Sequence, residues 1–103
     1  MSRVTVEVPS QFADLSTLEQ ESLIRAGMRE AIQARVNELT RELREAETRV
    51  RHFEAKYGVP LTDFERDILP SLDDFEGHEA YNDWFFWENV RVEKQRQLAN
   101  LQS

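Results

Sequence analysis

Two histidines and no cysteine limit what this 103-residue sequence could do as a catalyst or a metal centre. His78 lies in GHEAY, with Asp73, Asp74, Glu76, Glu79 and Asp83 close to it in sequence. Carboxylates and an imidazole are the right donor types for a metal site. His78–Glu79 lacks the second histidine four residues on that a zinc protease needs. Acids at the start of a helix are accounted for by the helix dipole. His52, beside Arg51, falls off the apolar seam of its helix and reads as a surface residue. There is no glycine-rich phosphate loop and no Ser–His–Asp arrangement. The residues point to no cofactor, no metal and no enzymatic reaction.

Recognition is the chemistry that remains. YNDWFFW, Tyr81 to Trp87, carries five aromatic side chains in seven residues. At 100° per residue, Tyr81, Trp84, Phe85, Val92 and Ala99 share one helix face. Phe86, Trp87, Val90, Leu98 and Leu101 share a second, roughly opposite face. A helix with one neighbour needs one apolar stripe, so this one is expected to lie between two surfaces. Trp and Tyr are frequent anchors of protein interfaces. Tyr81, Trp84, Phe86 and Trp87, with Asp73 and Asp74 at the rim, are therefore the candidate partner-binding residues. Both stripes could instead fill a homodimer core.

Several elements must position these rings. Val4, Val6 and Val8 alternate with Arg3, Thr5 and Glu7, which predicts a β-strand ended by Pro9. A lone strand cannot satisfy its own backbone, so the expectation is a two-stranded antiparallel ribbon closing a homodimer. Ser16 with Glu19, or Thr17 with Gln20, forms a capping box that starts a helix over about residues 17–57. From Ile32 the apolar positions step by four and three through Val36, Leu39, Leu43, Ala46, Val50, Phe53 and Tyr57, a coiled-coil seam. At 1.5 Å per residue this helix is a rod of roughly 60 Å. Upstream, Leu23, Ile24, Met28 and Ala31 form a broader face around Gly27. Lys56, Gly58 and Pro60 stop the helix. A short helix capped by Thr62 and Glu65 follows, then a loop anchored by Phe75. A third helix from about His78 folds back along the long one.

The fold class is thus mainly α, with residues 1–57 for dimerisation through Val4, Val6, Val8, Ile32, Val36, Leu39, Leu43 and Val50. Residues 58–103 form an acidic, aromatic helical segment. Residues 1–57 hold nine Lys/Arg and ten Asp/Glu; residues 58–103 hold four and ten. The second half should repel phosphate backbones and attract a basic partner. No apolar run is long enough for a membrane span or a signal peptide, so a cytosolic protein is expected.

VTVEVP, a long charged helix ending KYGVPLTDFE, and then HEAYNDWFFWE together resemble small prokaryotic antitoxins of type II toxin–antitoxin systems, the partners of TumE-like toxins among them. The resemblance covers most of the chain and implies a homodimer whose C-terminal half neutralises a small basic toxin. Two other readings stay open. One is a DNA-binding repressor that uses Arg3 and Thr5 on the ribbon, in the manner of ribbon-helix-helix proteins. The other is a self-contained coiled-coil scaffold.

Overall fold

A computed structural model describes residues 2–102. Four α-helices and one 3₁₀ turn follow in order: α1 (Ser10–Ala13), α2 (Thr17–Tyr57), α3 (Leu61–Asp67), the turn Leu69–Ser71, and α4 (Phe75–Gln102). The chain divides into two compact units, one up to Ala34 and one from Arg35 onward, with the boundary inside α2.

The expected strand does not form: no strand occurs among the described residues. Val4, Val6 and Val8 lie in irregular backbone and are 84%, 70% and 51% exposed. The physical reason is that alternation stabilises a strand only through paired backbone groups and cross-strand side chains. No other segment of this chain supplies either. The ribbon, and the dimer closure assigned to it, are therefore corrected.

Local signals set the helix ends. The Ser16 hydroxyl accepts from the Glu19 N–H at 3.2 Å, as a capping residue does. Gln20 Nε2 donates to the Phe12 carbonyl at 3.0 Å and ties α1 to the first turn of α2. Gly58, at φ +74°, ends α2 in the left-handed conformation, its N–H donating to the Glu54 carbonyl at 2.7 Å. The capping box expected at Thr62 and Glu65 is replaced. α3 begins one residue earlier, at Leu61, with the Pro60 carbonyl accepting from the Phe64 N–H at 3.0 Å. α4 starts at Phe75 and not at His78, because Asp74 caps it: its carboxylate accepts from the Gly77 N–H at 2.9 Å.

The second unit holds the core. Trp84 of α4 stacks on Phe53 and Tyr57 of α2, with centroids 5.7 and 5.8 Å apart, and meets Phe64 of α3 at 5.1 Å. Leu61, Val59, Ile68, Leu69 and Leu72 surround this cluster. Further along, Arg49 lies over the Trp87 ring, and Lys94 pairs with Glu42 at 2.8 Å. These pairs fix α4 antiparallel to residues 35–57 of α2.

Leu39, Ala46 and Val50 of the predicted coiled-coil seam are buried within this single chain, and Val36 and Leu43 are half-buried. A 3.5-residue seam packs against any antiparallel helix, and here α4 of the same chain is the one available. The two-chain coiled coil is therefore corrected to packing within the chain.

The Glu42–Lys94 pair gives the acid response a sign. Its hydrogen bond to Lys94 is the main reason the Glu42 carboxyl is held below its ordinary pKa. Arg96 does the same for Glu93, and Arg66 for Asp67. A carboxyl depressed by folding stabilises the fold above its unfolded pKa and loses that contribution as pH falls through the folded value. Stability should therefore decline below about pH 4.5. Glu42→Gln should lower the urea midpoint at pH 7 and leave it unchanged near pH 2. Equal losses at both pH values would mean that the pair contributes nothing through its charge.

Candidate protein-binding surface

The two aromatic stripes of α4 are divided by the fold in a way the wheel did not separate. Trp84 from one stripe and Leu98 from the other are both buried. Tyr81 and Trp87 flank them, half-buried. Phe85 and Phe86 remain 48% and 57% exposed. The inward face of α4, which packs on α2 and α3, is thus centred between the two predicted stripes.

Each candidate residue now has a place. Trp84 is core. Tyr81 donates its hydroxyl hydrogen to Glu65 at 3.0 Å and links α4 to α3; burial, then Glu65, raises its pKa. Trp87 packs edge-on to Phe86 at 5.2 Å and lies under the Arg49 guanidinium. Phe86 points outward. Asp73 is exposed, and Asp74 is the helix cap. That cap requires glycine three residues on: a Cβ at Gly77 would meet the Asp74 carboxylate at 2.4 Å and Leu72 at 2.5 Å. Phe75, expected as a loop anchor, is 75% exposed, since the first turn of α4 carries it away from the core. Arg3 and Thr5 are exposed on irregular backbone, without the ribbon on which the DNA reading placed them.

His78 Nε2 lies 2.9 Å from the Leu72 carbonyl and donates to it, which ties α4 to the preceding loop. The ring of His52 meets Phe53 edge-on. Among the described residues, no three His, Asp or Glu side chains are grouped to hold a metal ion. Nor is any helix long and apolar enough to cross a membrane.

Two grooves border α4 in the second unit. One, of about 650 Å³, is lined by Trp87, Phe53 and His52, with Arg44 and Arg49 balanced by Glu45 and Asp83. The other, of about 570 Å³, has Phe85, Leu61 and Pro60 among its apolar lining and four carboxylates: Glu47, Glu54, Glu65 and Glu88. Its two arginines are already held within the chain, Arg51 by Glu47 at 3.3 Å and Arg91 by Glu88. The remaining acids, Glu54 and Glu65, leave this groove net negative beside an exposed aromatic ring. Sequence reasoning missed Glu54, Glu65 and Glu88 as a group. They come from three different helices, and only the antiparallel register of α2 and α4 brings them together. No family model, curated protein or solved structure matches the chain.

Proposed function

We propose that this protein is a non-enzymatic binding protein of the antitoxin type, which captures a small basic protein in the cytosol. The observation that supports it most is the acidic groove beside Phe85, with Phe86 exposed on the next position of α4. A lysine or arginine of the partner would pair with Glu54 and Glu65 while apolar groups cover the two rings. Partly desolvated charge pairs around an aromatic centre are the usual make-up of a binding hot spot. The ten acids against four bases of residues 58–103 would also speed the approach of a cationic partner at low salt.

The reading requires a small basic protein encoded beside this gene, and the test is co-expression with it, followed by calorimetric titration. Phe85→Ala and Phe86→Ala should each weaken binding by about 2 kcal/mol if these rings are hot spots. Both rings are exposed, so helicity should be retained. Binding that survives both substitutions, or the absence of any binding by the neighbouring basic protein, would refute the reading.

A further inference from the structure

The chain's own cations in the groove beside Phe85 are already engaged. Arg51 is held by Glu47 at 3.3 Å. Arg91 lies along the Glu88 carboxylate, with Nε and Nη2 both donating to it, and Nη1 donates to Gln95 at 3.2 Å. Glu54, half-buried on α2, belongs to neither pair. Glu65 of α3 is held from one side: the Tyr81 hydroxyl donates to its Oε2 at 3.0 Å, which fixes the carboxylate through one of its two oxygens. Phe85 of α4 adds a ring that is 48% exposed, and Pro60 and Leu61 extend the apolar lining. Three helices thus place two carboxylates and an aromatic face around one groove of about 570 Å³.

We propose that the partner's cation in this groove is an arginine, its guanidinium face on the Phe85 ring and its N–H edge toward Glu54 and Glu65, with Tyr81 a positioning residue for Glu65. The inference rests on the reading of this groove as the surface that captures a basic protein, and it narrows that partner from a charge to a side chain. A ring alone does not choose between the two cations: Lys56 lies over Tyr57 at 5.5 Å, as Arg49 lies over Trp87 at 5.4 Å. The choice comes from meeting the ring and both acids at once. A guanidinium is planar. Its five N–H donors all lie in the plane, so its flat face carries none. It can therefore rest on Phe85 while its edge serves carboxylates carried by two different helices. An ammonium spreads three donors around a cone, and contact with a ring turns some of them away from the acids. It also holds its water more tightly than a guanidinium does, so covering it with Phe85, Pro60 and Leu61 costs more.

Capped tetra-arginine and tetra-lysine peptides carry the same charge and so separate the guanidinium from charge alone. In heteronuclear NMR titrations of the full chain at physiological salt, tetra-arginine should bind about 5- to 10-fold more tightly. Its largest shifts should fall at Phe85, Glu54 and Glu65. Phe85→Leu keeps an apolar side chain and removes the ring, so the ratio should drop to within about 2-fold. The ring is exposed, and circular dichroism should show the helices retained. Tyr81→Phe removes one hydroxyl. It should weaken tetra-arginine binding about 3-fold and add nothing when combined with Glu65→Gln, a result that a general loss of packing would not give. Equal affinity for the two peptides overturns the proposal. So does a preference that survives Phe85→Leu, a set of shifts centred away from the groove, or the failure of both peptides to bind. Capture of the neighbouring basic protein with no preference for tetra-arginine would leave the binding reading standing and remove only the arginine. An arginine preference lost in Phe85→Leu, without capture of that protein, would do the reverse.

Discussion

Trp84→Ala should cost the protein about 3–5 kcal/mol of stability, the range for truncating a large buried aromatic. Trp84 is fully buried and contacts rings from both other helices of its unit: Phe53 and Tyr57 of α2, and Phe64 of α3. Removing it opens a void at the centre of the aromatic cluster that the helices cannot close without sliding, and the stacked pairs are lost as well. Urea unfolding followed by far-ultraviolet circular dichroism measures the loss. Trp84→Phe should be much milder. The indole N–H is buried without a hydrogen-bond partner, so replacing it relieves an unsatisfied donor while most of the ring contact survives. If Trp84→Ala stays within about 1 kcal/mol of the wild type, α4 does not pack on α2 through this residue.

Leu39→Ala should be the next most damaging change, at about 2–5 kcal/mol. Leu39 is fully buried near the start of the second unit, and the register set by Trp84, Trp87 and Lys94 brings the last turns of α4 level with it. The more telling measurement is the dependence on protein concentration. A seam residue between two chains would give a loss entangled with dissociation, so the shift in midpoint would change with dilution. Leu39 packs within its own chain, so the shift should be the same in dilute and concentrated samples. A shift that grows on dilution would return the Leu39 seam to a two-chain interface.

These two residues also show how far the sequence could be read. The heptad steps from Val36 to Tyr57 announced a helix with a neighbour along one side, and such a neighbour exists. The pattern could not say which chain the neighbour belongs to, because an antiparallel helix presents the same ridges whether it is joined by a loop or arrives from another molecule. At the strand, Val4, Val6 and Val8 showed the right alternation, but pairing is a property of two segments and the chain contains only one. At YNDWFFW, the wheel gave two stripes correctly by angle. Trp84 and Leu98 then went inward together because the covered arc of α4 falls between the stripes.

By itself, the sequence determined what depends on near neighbours along the chain. This comprises the long helix from its Ser16 cap to the left-handed Gly58, the helical character of the acidic segment and the uneven charge of the two halves. It also determined that α4 carries more apolar surface than one neighbour needs. Only the tertiary structure decided which rings are core and which are surface, that Asp74 is spent on a cap, and that Glu54, Glu65 and Glu88 meet beside Phe85. Those outcomes depend on the register between helices far apart in sequence. That register is set by the summed packing of Phe53, Tyr57, Phe64 and Trp84, which no local pattern encodes.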